Sequence, residues 1–332
     1  MASVVADRTW RDTDPDEIES ALADVWRGIG SDGPVARAVM SNLVVLRECD
    51  AGAPAEIVAT PYTETLDAIV GQHPSRVIVL WHETGCPLAR GPLAARVGVT
   101  TYGPPHARYA VEHVVVRSTC DAASLPSIVR RLIRGDLPTS IWCPDDLSRR
   151  PPLHAVVAEA RQLIYDSARW GDVAAGFAAV ADAIGNRPVD IADLAWRRLT
   201  PVRQALRHAG DELSRDDLRA ARIRIVHARR DAALAWLLRG WLATRFGWSD
   251  TTQPQIDPVD DPAAPLVLTV GAAGRESTIE LDADRVLVSQ HGWPPYAVGV
   301  RRETVDAAVA AELRSLVVDR TLRDAVTFLG RS

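Results

Sequence analysis

Residues Asp190–Arg203 read DIADLAWRRLTPVR. The stretch sets Leu194, Ala195, Trp196 and Leu199 among Asp190, Asp193, Arg197, Arg198 and Arg203. The side chain of Asp190 or Asp193 can accept from the free amides of a first turn, so a short helix is expected to start there. Thr200-Pro201 stops that helix and starts another, because proline is tolerated at the first helical position. The expected form is helix, break, helix: a corner joining two layers. A large aromatic beside forked cations is also a combination that binding hot spots favour, whereas tryptophan is usually highly buried in its own chain. Joint and contact surface are both open readings of this stretch.

Upstream, the apolar runs are short and recur between helical stretches. Val35 to Leu46 and Ser75 to Trp81 read as strands, and the continuous β-branched run of the second implies cover on both faces. Val97 to Tyr102, Tyr109 to Arg117, Leu137 to Trp142 and Arg161 to Tyr165 read as further strands. Pro15 to Ala23, Pro61 to Val70, Leu125 to Ile133, Pro152 to Glu159 and Asp172 to Ile184 read as helices. Strands alternating with helices predict an α/β layer with a largely parallel sheet.

Downstream the pattern changes. Ala221 to His227 alternates like a half-buried strand, and Asp231 to Phe246 carries apolar residues at helical spacing. A Pro/Asp-rich loop follows. Four strand-like segments come next, Pro265–Val270, Arg275–Leu281, Arg285–Gln290 and Tyr296–Arg302, separated by turns: an antiparallel meander. Thr304 to Leu316 and Asp319 to Leu329 close the chain as helices. The expected fold class is α/β: an N-terminal mainly parallel sheet flanked by helices, then a C-terminal α+β domain with a helical lead-in, an antiparallel sheet and helices. The 332 residues exceed the size at which single cores stop growing. The junction is expected near Asp166, giving domains 1–166 and 167–332.

The formal net charge of −5 argues against a general nucleic-acid binder. Every basic residue is arginine, which removes Schiff-base and phosphate-loop lysines. Neither a signal peptide nor an apolar run of membrane length is visible, so a soluble, cytoplasmic protein away from membranes is expected. Cys49, Cys86, Cys120 and Cys143 stand singly, without a CxxC, and read as buried free thiols.

The sequence lacks GxGxxG after a strand, GxxxxGK[ST], HExxH and GxSxG. Trp81-His82-Glu83-Thr84-Gly85-Cys86 is the most site-like loop, following a buried strand at the end where α/β folds take ligands. His82, Glu83 and Cys86 make an incomplete metal set. Asp145-Asp146 reads as a capping turn before a carboxylate pair. Asp257, Asp260 and Asp261 lack the spaced ligands of a calcium loop and read as solvated.

In chain order, several blocks together resemble one known family. DIADLAWRRLTPVR is similar to the "DLAW-RLTPWR" signature of the glucose-6-phosphate dehydrogenase assembly proteins, the OpcA family. Arg37–Leu46 (RAVMSNLVVL), His73–Leu80 (HPSRVIVL), Asp136–Trp142 (DLPTSIW), Leu163–Ser167 (LIYDS) and Gly240–Trp248 (GWLATRFGW) fall in the family's order. Val202 stands where the family often has tryptophan. Ala110-Val111 stands where it often has a cysteine before the glutamate aligned with Glu112.

The resemblance implies a non-catalytic protein without a cofactor or metal. It would bind glucose-6-phosphate dehydrogenase, promote its active oligomer and support NADPH production in the oxidative pentose phosphate pathway. Trp142, Trp196, Arg197, Arg198 and Arg203 are the candidate partner-binding residues. The alternative is a sensor or enzyme that binds a small sugar phosphate at an unrecognised site. The loop after Trp81, the strand end at Trp142 and the many arginines motivate that alternative.

Overall fold

A computed structural model describes residues 5–29, 35–50, 63–84, 94–104, 106–119, 122–149, 153–185, 187–210, 217, 219–248, 254–272, 274–315 and 317–331. Two sheets organise these residues. The first has nine strands: β1 (Val5–Thr13), β2 (Ala36–Arg37), β3 (Ser41–Asp50), β4 (Ser75–Thr84), β5 (Ala94–Tyr102), β6 (Tyr109–Thr119), β7 (Thr139–Cys143), β8 (Gln162–Tyr165) and β9 (Asp190–Asp193). Their order is β1-β5-β6-β4-β3-β7-β8-β9, with β2 beside β6. From β6 to β9 every pairing is parallel, while β1 and β5 add an antiparallel margin.

Two-residue periodicity explains why the parallel strands read as unbroken apolar runs. In register, Val44, Ile78 and Val114 face one core, as do Leu46, Leu80 and Val116. Leu43, Val45, Val77 and Val111 face the other. The first core is covered by α1 (Ile18–Ile29), α3 (Leu125–Leu132), α4 (Leu153–Val157) and α5 (Val173–Ile184). The second is covered by α2 (Thr63–Gln72), through Leu66, Ile69 and Val70.

After α5 the chain re-enters the first sheet. Asp190–Asp193 is strand β9, in register with Gln162–Tyr165, so Tyr165 does not end the last strand and the sheet runs beyond the expected junction at Asp166. The helical corner follows as α6 (Leu194–Arg198) and α7 (Thr200–Gly210). The second sheet holds β10 (Arg222–Ala228), β11 (Gln255–Val259), β12 (Leu266–Ala272), β13 (Arg275–Leu281), β14 (Arg285–Gln290) and β15 (Trp293–Gly299), in the order β11-β10-β12-β13-β14-β15. Its meander is antiparallel as expected.

Strand β11 was expected to be loop. It pairs parallel with β10, and Asp257 is held by Arg224 rather than merely solvated. One face of the sheet is covered by α7 and by α8 (Ala232–Phe246). The chain ends in α9 (Val305–Arg314) and α10 (Arg320–Leu329). Helix α10 packs on α8 and α5, whereas α9 returns to α2 and shares its core through Ala308, Val309 and Leu313. No helix among the described residues is long and apolar enough to cross a membrane.

Candidate functional site

Asp193, the last residue of β9, builds the corner. It is buried, and its Oδ1 accepts from the amides of Ala195, at 2.8 Å, and Ser167, at 3.2 Å. One oxygen therefore caps α6 and ties it to the turn that leaves β8. Burial pushes the Asp193 carboxyl up to about 7, against the two Ser167 interactions that favour the charged form.

Trp196 lies one turn on and is 3% exposed. Its Nε1 donates to Oδ2 of Asp319 at 2.7 Å, and Oδ1 of Asp319 caps α10 through the Leu322 amide. The Arg203 guanidinium covers one face of the indole and Trp241 of α8 meets it edge-on, with centroids 6.4 Å apart. Burial lowers the Arg203 pKa to about 10.

Arg197 donates to both carboxylate oxygens of Glu303, each at 2.9 Å, and to Glu312 at 2.6 Å. Arg198 donates to Asp166 at 2.9 Å. Of the candidate contact residues, Trp196, Arg197, Arg198 and Arg203 come together at this corner. Trp142 stands apart on β7, 1% exposed in the core with Leu43, Val45 and Ile164. The two indoles present almost no surface to a partner, because their apolar area is already covered within the chain. Arg198, with 45% of its side chain exposed, is the most open of these four candidates. Glu303, Glu312 and Asp319, which hold the corner, carry no sequence signal that links them to it.

A second candidate lies at the carboxyl ends of the parallel strands. The chain lays β4 and β6 on one side of β3, then β7, β8 and β9 on the other. Open α/β sheets take ligands at such a reversal. Here Oδ2 of Asp145 accepts from Arg47 Nε at 2.7 Å and from the Glu48 amide at 3.2 Å, bridging the ends of β3 and β7. Arg47 also lies over the Trp81 ring, 4.7 Å from its centroid. Burial, then Asp145, raises the Glu48 pKa.

Strand β4 runs through Thr84, so His82 and Glu83 are strand residues rather than loop. Glu83 is paired with Arg117, and the His82 ring nitrogens are buried without a hydrogen-bond partner. Cys86, Cys120 and the rest of residues 85–93 lie outside the described residues. Among the described residues no group of three His, Cys, Asp or Glu side chains is placed to hold a metal. Asp146 accepts from the amides of Ser148 and Gly171 as a turn cap.

Two family models match the chain in order. The N-terminal domain of the glucose-6-phosphate dehydrogenase subunit matches residues 66–182, and the C-terminal domain of the same subunit matches residues 189–326. The seam between them falls in the connection from α5 to β9. The OxPP cycle protein OpcA of Synechocystis sp. is 25% identical over 210 residues, covering 59% of this chain and 43% of that protein. That of Synechococcus elongatus is 28% identical over 191 residues, 55% of this chain and 42% of its own. The chain thus spans less than half the length of these curated relatives. Among solved structures, biliverdin reductase from Synechocystis sp. PCC 6803 overlaps with a TM-score of 0.42 at 10% identity, covering 86% of this chain and 95% of the reductase.

Proposed function

The chain belongs to the OpcA family of glucose-6-phosphate dehydrogenase assembly proteins, and from that membership we propose that it is a non-catalytic cytoplasmic partner of glucose-6-phosphate dehydrogenase. It binds the dehydrogenase, favours its active oligomer, and so supports NADPH production in the oxidative pentose phosphate pathway. The observation that carries this reading is the ordered match of both family domains along one chain.

The strand ends support it. At the reversal point Arg47 is ion-paired with Asp145. The acidic residue closing β4, Glu83, is occupied by Arg117. Activation by such a partner is linkage: it shifts the dehydrogenase toward whichever state it binds more tightly, by its differential affinity.

The test is co-purification of the two proteins, with NADP reduction followed with and without this chain. A complex that raises the rate or the oligomeric state of the dehydrogenase is the expected result. Absence of a complex, with rate and oligomer unchanged, overturns the proposal.

A further inference from the structure

Among the described residues the second sheet ends on one side at β15, and every residue from Trp293 to Gly299 is exposed. Trp293 is 61% exposed, Tyr296 41% and Val298 45%. The strand carries no charge. An uncharged, apolar edge with unpaired backbone groups is a template for another strand.

The register of β14 and β15 shows which groups face outward. The Val300 amide donates to the Asp284 carbonyl at 2.6 Å, and Val298 and Tyr296 stand opposite Val286 and Val288. In an antiparallel ladder the N–H and C=O of one residue point to the same side, and successive residues alternate. Val300, Val298 and Tyr296 therefore turn toward β14. Gly299 and Ala297 turn toward the open edge, whereas Pro294 and Pro295 together stand opposite Ser289 in a bulge.

We propose that this edge pairs with the same edge of a second copy of the chain, antiparallel about a two-fold axis through Ala297. In that register the outward groups meet. Ala297 exchanges two hydrogen bonds with Ala297 of the second copy. Tyr296 lies opposite Val298, an aromatic and β-branched cross-strand pair. Within the strand no like charges meet. A register centred on Tyr296 sets Ala297 against Pro295 and forfeits the central pair of hydrogen bonds. The proposal does not rest on the dehydrogenase reading.

Light scattering on the full chain over a concentration range reads the assembly directly; a concentration-dependent dimer is expected. Ala297→Cys should form an intermolecular disulfide under mild oxidation. A hydrogen-bonded antiparallel pair holds its Cα atoms about 5.5 Å apart, within disulfide reach. Val317→Cys, at an exposed position elsewhere, should not form one.

Ala297→Pro removes the outward donor without touching the β14 ladder. It should weaken the dimer at least about tenfold with unchanged melting. Tyr296→Asp should weaken it too, by setting a carboxylate opposite Val298 of the second copy. A chain that stays monomeric, and whose Ala297→Cys variant forms no cross-link, overturns the proposal, as does a dimer indifferent to both Ala297→Pro and Tyr296→Asp. A monomer whose capture of the dehydrogenase is lost in Ala297→Pro also overturns it, assigning the edge to that enzyme. Dimerisation without dehydrogenase binding would support it while removing the functional reading.

Discussion

The guanidinium carbon of Arg203 lies over the face of Trp196, 3.7 Å from the ring centroid. With Asp319 taking the indole N–H and Trp241 on its edge, the aromatic is enclosed by α7, α8 and α10. Trp196→Phe keeps most of the apolar area and removes the hydrogen bond to a charged acceptor. The expected loss is about 2 kcal/mol of stability, read from urea unfolding with an unchanged slope.

Neighbouring arginines at the corner should behave differently. Arg197 joins Glu303 and Glu312, at either end of α9, and Arg197→Ala should cost about 1–2 kcal/mol and lower the melting temperature. Arg198 makes one half-exposed pair with Asp166, and Arg198→Ala should cost at most about 0.5 kcal/mol. If Arg198→Ala weakens capture of the dehydrogenase while melting is unchanged, that side chain touches the partner.

Asp193 gives the corner a pH signature. Its folded pKa of about 7 lies above the ordinary 3.8, so between those values the native state holds a proton that the unfolded state has released. Stability from this group is therefore complete in acid and falls as pH rises toward 7, by up to about 1.4 kcal/mol per pH unit. Asp193→Asn, which keeps an acceptor for Ser167 and Ala195, should flatten the stability difference across that window. An identical slope in wild type and variant would refute the assignment.

Gly240 lets α8 and α10 approach closely. A Cβ there would stand 2.8 Å from Leu329 Cγ and 2.9 Å from the Ala325 carbonyl oxygen. Gly240→Ala gains helix propensity, but the clash includes backbone that cannot rotate away. A net loss of about 1–3 kcal/mol is expected in thermal unfolding.

The parallel core was legible in the sequence because strands buried on both faces become uninterrupted apolar runs, as in Val77–Leu80. Strand β11 was not, since proline and aspartate dominate Gln255–Val259 and its pairing comes from β10, some thirty residues earlier. Strand β9 was hidden for a similar reason: DIAD is short and acidic, and its extended form is dictated by Gln162–Tyr165 beside it. The helix–break–helix at Leu194–Gly210 was readable from Asp193 and Thr200-Pro201, because caps and proline act locally. The fate of its side chains was not. Arg197 is neutralised by residues more than a hundred positions away, and no local pattern carries that distance. The openness of β15 was equally hidden, since WPPYAVG has the composition of a covered strand.

The return of α9 onto α2 bears on how the two matched units relate as pieces of matter. Helix α9 belongs to the C-terminal unit by sequence, yet Val309 and Leu313 complete the apolar layer over Leu66, Ile69 and Val70 of the N-terminal one. A fragment ending at residue 182 would keep α2 but bare that layer to water, and would lose β9 from the margin of its sheet. The seam along which the family is inherited therefore crosses a shared core, with α9 as its clasp, and a fragment ending at residue 182 is expected to melt below the full chain.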